Sequence, residues 1–129
     1  MEFKFNNKNI LVCGSTYGIG HDIAKGFIND GANVIFTGRT MSRLSYIKKK
    51  YKKSLSVKCD FSNNTDILLL KNAILKKYRK IDSIVFNVGF GKSKIDFEES
   101  IDDWINLINI NLIYAVRSVK ILSPILKKN

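Results

Sequence analysis

A chain of 129 residues has room for one domain, and 45% hydrophobic residues support a packed core and exclude a disordered protein. No uninterrupted apolar run approaches the ~20 residues needed to cross a bilayer, and the opening "MEFKFNNKN" is not a basic stretch leading into an apolar one. Neither a membrane partner nor a signal peptide is expected, and the expected compartment is the cytoplasm. The net charge of +11, from 22 Lys and Arg against 11 Asp and Glu, gathers at Lys48–Lys53, Lys76–Lys80 and Lys127–Lys128.

In chain order, the apolar run Asn9–Cys13 predicts a buried strand. From Gly18 to Asp30, Ile19, Ile23, Ala24, Phe27 and Ile28 recur at helical spacing, and Gly31 stands where a C-terminal cap is expected. Asn33–Thr37 predicts a second strand, Ser42–Tyr51 a helix and Ser54–Lys58 a third strand. Asn63–Tyr78 predicts a helix with Ile67, Leu70, Ile74 and Tyr78 in register, and Asp82–Phe86 a fourth strand. After a loop through Gly89 and Gly91, a long helix is expected from Ile101 to Lys127, with a bend at Pro124.

Strands alternating with helices predict parallel pairing with right-handed crossovers, an α/β doubly wound sheet. The basic clusters then fall at separate helix ends, where cations complement the helix dipole. Nucleic acid is therefore not an expected partner, although a basic chain attracts a polyphosphate cofactor at long range. Cys13 and Cys59 lie in or beside strands, with nothing at metal-ligand spacing. They are expected to be buried free thiols, and no metal site is predicted.

The stretch "VCGSTYGIG" (Val12–Gly20) places three glycines between the first strand and its helix. A tight strand-to-helix turn needs glycine where φ is positive and where a phosphate approaches the backbone. The free N–H groups at the start of the following helix make an anion site. Gly14, Gly18 and Gly20 are spaced G-x-x-x-G-x-G, which is neither the common dinucleotide fingerprint nor a P-loop.

With the residues that follow, this loop resembles the short-chain dehydrogenases/reductases, whose cofactor loop is T-G-x-x-x-G-[IL]-G. The resemblance extends over the whole chain. Ala24–Arg39 is similar to the family's first helix and second strand. "CDFSN" (Cys59–Asn63) matches the strand whose terminal Asp serves the adenine ring, and "NVG" (Asn87–Gly89) stands where the family has N-N-A-G. "DDWINLININ" (Asp102–Asn111) resembles the helix that carries the catalytic Asn, here Asn111, and Pro124 matches a proline near that helix's end. Cys13, Phe86 and Val88 depart from the usual Thr, Asn and Ala. The first two departures remove side-chain hydrogen bonds that tie the central strands.

The resemblance implies a Rossmann-like NAD(P)-binding domain over residues 1–129. Gly14, Ser15, Thr16, Tyr17, Gly18, Ile19 and Gly20 would seat the pyrophosphate. Asp60 and Phe61 would meet the adenine, and Asn87, Val88 and Gly89 the nicotinamide ribose. Where NAD-preferring members carry an acid, this chain has Gly38 followed by Arg39. A guanidinium pairs with a 2′-phosphate, and Thr40 adds a hydroxyl, so NADP(H) is favoured over NAD(H). Each role has a plainer rival: Arg39 as a solvated loop residue, Asp60 as a helix cap, Asn111 as a helix-interior Asn. Tyr17 would shield the cofactor, and the lone His21 is expected on the helix surface.

Hydride transfer to a carbonyl needs a proton donor for the developing alkoxide. In the resembled family this is a Tyr in Tyr-x-x-x-Lys, supported by a Ser, on elements after the long helix. Tyr46 and Lys50 fit that spacing but follow the second strand, on the adenine side. The expectation is therefore an NADP(H)-dependent oxidoreductase acting on a carbonyl or alcohol, present as its cofactor-binding portion and truncated after the fourth strand and long helix. The alternative is a non-catalytic NAD(P)-binding or interaction protein working with a partner. Either way, the fourth strand is expected at a sheet edge, with self-association through the apolar long helix.

Overall fold

The computed structural model of the chain describes residues 4–91 and 99–126. Strand β1 (Asn9–Val12) leads to helix α1 (Gly18–Asn29), followed by β2 (Asn33–Gly38), α2 (Met41–Lys50), β3 (Leu55–Lys58), α3 (Asn64–Lys77) and β4 (Ser83–Val85). The four strands form one sheet in the order β3-β2-β1-β4, every pair parallel. The register sets Val12 opposite both Phe36 and Val85.

The burial pattern follows from the pleat, because successive side chains on a strand point to opposite faces. Ile10, Val12, Val34 and Phe36 meet Ala24 of α1 and Ile47 of α2 on one face. Leu11, Cys13 and Ile35 meet Ile67, Leu70 and Ile74 of α3 on the other, with Tyr114 and Leu122. The doubly wound α/β class is thus observed. Gly31 takes a φ of +88° just after α1, as the cap reading requires. Both thiols are free and buried.

The predicted long helix is the main departure. Residues Ile101–Ile108 form α4, Asn109–Ile113 a π-helical segment, and Tyr114–Leu122 α5, before a 3-10 turn at Ser123–Ile125. Pro124 sits in that turn, where its missing N–H costs nothing. Lys127 and Lys128 lie outside the described residues. Ser100 and Asp103 start α4 with a reciprocal capping box.

A second departure concerns the membrane. The helical stretch Ile101–Ile125 is, by length and composition, long and apolar enough to cross a bilayer, because scattered polar residues interrupt its apolar runs without lowering the average much. Tyr114, Ser118 and Leu122 on it are nevertheless buried against the rest of the fold. Strand β4 lies at the sheet edge, and α4 buries none of its residues.

Candidate functional site

The glycine loop crosses the C-terminal ends of β1 and β2. Gly14 and Gly18 take φ of +66° and +59°, the left-handed region that side chains rarely adopt. At Gly20, an added Cβ would collide with the Gly14 carbonyl and the Asn87 amide, so only glycine lets α1 start this close to the loop. The Asn87 side chain donates Nδ2–H to the Gly14 carbonyl at 3.2 Å and ties the end of β4 to the same turn.

Below the loop lies a hydroxyl clamp. The buried Ser15 donates Oγ–H to the Val12 carbonyl at 2.8 Å and accepts from the Thr37 N–H at 3.0 Å. Its own N–H donates to the Thr37 carbonyl at 2.9 Å. Thr37 returns the arrangement: Oγ1–H donates to the Val12 carbonyl at 3.1 Å, and Oγ1 accepts from Gly14 N–H at 3.2 Å. Ser15 therefore shapes the loop from beneath, with both its polar groups bonded to the sheet. This clamp ties β1 to β2 although Cys13 offers no hydroxyl, and Phe86 packs edge-on against Tyr114 at 5.8 Å where the family's Asn is absent.

Above the clamp, Tyr17, Gly18 and Ile19 are exposed. Tyr17 occupies the N-cap of α1 without a side-chain cap, and no acid sits in the first turn. The start of α1 thus keeps donors and positive dipole for an anion. Thr16 presses on Gly38, where an added Cβ would come within 2.6 Å of its methyl. Arg39 and Thr40 are exposed at the end of β2, and Thr40, the N-cap of α2, makes no side-chain cap bond.

Asp60 accepts at Oδ1 from the Ser62 N–H at 2.9 Å and the Ser62 hydroxyl at 2.7 Å. These bonds, with the Arg39 charge as a smaller contribution, hold its carboxyl below the usual range. The cap reading for Asp60 is corrected: Asn63 caps α3, accepting from the N–H groups of Thr65 and Asp66. Phe61 buries its ring beside Tyr114 at 6.0 Å, and its carbonyl accepts from Arg117 Nη1 at 3.3 Å.

Asn111 falls in the π-helical segment. Its Oδ1 accepts from Phe90 N–H at 3.1 Å, and Nδ2 donates to the carbonyls of Phe90 at 2.8 Å and Leu107 at 2.9 Å. Gly89 passes beneath it, with an added Cβ 3.0 Å from Oδ1. As in the plainer reading, Asn111 is a helix-interior Asn, and its side chain turns onto backbone and not to solvent. Val88 Cγ2 would lie 3.1 Å from a Cβ added at Gly14 and so lines the same turn.

His21 is not on the helix surface as expected. It is largely enclosed, with its ring 6.3 Å from Phe36 and 6.0 Å from Tyr51, because α1 turns that face toward α2. Tyr46 and Lys50 lie on α2, whose buried Ile47 packs on the sheet face opposite Tyr114. Two residues that touch the loop escaped the sequence reading. Thr37 has a faint signal, a hydroxyl inside an apolar strand. Arg43, whose guanidinium lies 4.2 Å from the centroid of the Tyr17 ring, has none.

The family model described as short chain dehydrogenase matches residues 8–129. The chain belongs to the short-chain dehydrogenase family. It is 35% identical over 130 residues to a 3beta-hydroxysteroid dehydrogenase of Mediterraneibacter gnavus, covering 94% of this chain and 47% of that protein. It is 33% identical over 115 residues to an NADP-dependent 3-hydroxy acid dehydrogenase of Salmonella typhi, covering 85% and 46%. A crystal structure of a short-chain dehydrogenase/reductase, a glucose/ribitol dehydrogenase from Brucella melitensis, superposes with a TM-score of 0.89 at 28% identity over 99% of this chain and 55% of that one. This short-chain dehydrogenase sequence spans about half the length of the curated relatives it matches.

Proposed function

We propose that the chain is the cofactor-binding portion of an oxidoreductase that moves hydride between NADP(H) and a carbonyl or alcohol. The observation that carries this reading is the exposed, uncapped start of α1, held against β1 and β2 by the buried Ser15 and the close-packed Gly20. That backbone fits a pyrophosphate, whose charge complements the helix dipole. The bound nicotinamide would supply the hydride.

The chain's own residues bind and orient. The turn Thr16–Ile19 would take the pyrophosphate, Asp60 the adenine, and Asn87, Val88 and Gly89 the nicotinamide ribose. Asn111 acts here as a positioning residue, holding the backbone of Phe90. Preference for NADP(H) is supported by charge and space. A Cβ at position 38 would come within 2.6 Å of the Thr16 methyl, so the acid that would accept from an NAD ribose fits there only if Thr16 shifts, while Arg39 stands exposed beside it. A relative named as NADP-dependent agrees with this preference.

The helical stretch after residue 100 belongs, in this reading, to the α/β layer and not to a membrane, since Arg117 is tied to the Phe61 carbonyl. Buried free Cys13 and Cys59 suit a reducing cytoplasm. The test is titration of the full chain with NADPH and NADH, followed by nicotinamide fluorescence. Saturable binding with NADPH the tighter supports the reading; failure to bind either dinucleotide ends it.

A further inference from the structure

We infer that the end of the sheet opposite the glycine loop binds the phosphates and bases of a single-stranded nucleic acid, an activity separate from the dinucleotide site. In the sequence, Lys48–Lys53 holds five cations and Lys76–Lys80 four, with no acid in either stretch. They fall at the C-terminal ends of two different helices, and the fold brings those ends together. Lys77 donates Nζ–H to the Ser54 carbonyl at 2.9 Å, and the Tyr78 hydroxyl donates to the Lys53 carbonyl at 2.9 Å. Toward the other edge of the sheet, the Lys80 carbonyl accepts from Asn9 Nδ2 at 3.1 Å, and the Lys8 carbonyl accepts from the Asn33 N–H at 2.8 Å. The two clusters and Lys8 thus meet across the starts of all four strands, a width of about 14 Å. The glycine loop lies a strand's length away, at the opposite strand ends.

Helix dipoles do not account for this charge. A helix C-terminus carries about half a negative charge, against three lysines in the last turn of α2 and two in that of α3. Among the described residues, Lys80 alone of the group has a carboxylate within salt-bridge distance, Asp82 at 3.6 Å. Such a crowd of exposed cations repels itself, and a strand of phosphates neutralises it while releasing its own counterions. The rings beside the lysines favour a nucleic acid over other polyanions. Tyr46 is 60% exposed, and Lys50 Nζ lies 5.6 Å from its centroid and 5.5 Å from that of Tyr51. Unpaired bases stack on aromatic rings set among cations. A bilayer surface instead takes up aliphatic side chains, and Leu44 and Ile47 of α2 are buried in the fold.

The experiment follows fluorescence anisotropy of labelled uridine and thymidine oligomers of about 16 nucleotides, and of a duplex of equal length, with the full chain over a range of salt. Single strands should bind more tightly than the duplex, with a log–log salt slope of about −3 or steeper, as about four phosphate contacts require. Lys52→Gln/Lys53→Gln should weaken binding about tenfold and make the slope shallower by about 1.4. Its melting temperature should not change, because both side chains are exposed. Lys25→Gln/Lys58→Gln removes the same charge away from this end and should change little. Tyr46→Ser should cost the oligonucleotide about fivefold and leave the affinity for inorganic polyphosphate as it was. Binding of either sugar type supports the inference, and the tighter strand names the source. A duplex bound as tightly, equal losses in the two lysine pairs, or an unaffected Tyr46→Ser would overturn it. Full competition by phosphatidylserine vesicles at equal phosphate would also overturn it and assign the surface to a membrane.

Discussion

Asn111 and Phe90 close a reciprocal pair of hydrogen bonds, Oδ1 accepting from the Phe90 N–H at 3.1 Å and Nδ2 donating to its carbonyl at 2.8 Å. The same Nδ2 donates to the carbonyl of Leu107, one turn earlier. That carbonyl would otherwise serve only the helical ladder, and here the ladder widens into π geometry. One side chain thus holds the segment after β4 and marks the interruption of the helix. Asn111→Ala should lower stability by about 1 kcal/mol, read by denaturant unfolding, and should speed hydrogen exchange at the Phe90 amide. An unchanged exchange rate at Phe90 would show that the pairing does not hold that segment.

The Ser15–Thr37 clamp predicts a larger effect. Thr37→Val keeps the shape but removes the acceptor for Gly14 N–H and a donor to the Val12 carbonyl. Because position 37 is fully buried, the orphaned donor carries its desolvation penalty, and the loss should be about 1–3 kcal/mol. Dinucleotide affinity should fall with it, since Gly14 sets the turn. Equal melting temperatures for the two proteins would contradict this.

Burial pushes the Cys59 thiol up to about 12, with Asp66 and Asp60 adding to the effect, and the thiol of Cys13 higher still, with Cys59 adding to it. Thiolate is the reactive form. Alkylation at pH 8 should be slow in the folded chain and rapid in denaturant, followed by intact mass. The sign for stability follows: a folded pKa above the unfolded value of 9.0 means stability is full below about pH 9 and declines as pH rises toward 12. Rapid alkylation of both thiols under native conditions would refute the burial.

The strands were legible because parallel strands covered on both faces read as continuous apolar runs, as in Ile10–Val12 and Val34–Phe36. The glycine loop was legible because positive φ leaves a compositional mark. The clamp was not, since its hydroxyls meet across 22 residues of sequence and no local pattern records that. The π-helical segment escaped because apolar residues continue through Asn109–Ile113, and one wider turn shifts the register without breaking the periodicity. Arg43 escaped for a related reason. Helical spacing in α2 reveals its buried Leu44 and Ile47 but says nothing about what a solvent-facing neighbour stacks on.

The last prediction concerns α4. Ile101, Ile105, Ile108 and Leu112 are 75%, 50%, 49% and 58% exposed and recur at helical spacing, so they form one apolar stripe running into the π-helical segment. Monomeric soluble proteins rarely leave such a stripe uncovered. The chain should therefore self-associate, with a mass in sedimentation velocity that rises with concentration. The double variant Ile105→Glu/Ile108→Glu should remain monomeric at the same concentrations, and because α4 buries none of its residues its melting temperature should hardly change. Flotation with phospholipid vesicles separates this from membrane insertion, which the length of Ile101–Ile125 alone would permit. The chain should stay with the aqueous fraction, because α5 is docked on the core through Tyr114 and Leu122. A parent chain that sediments as a monomer throughout, or floats with the vesicles, would overturn the association.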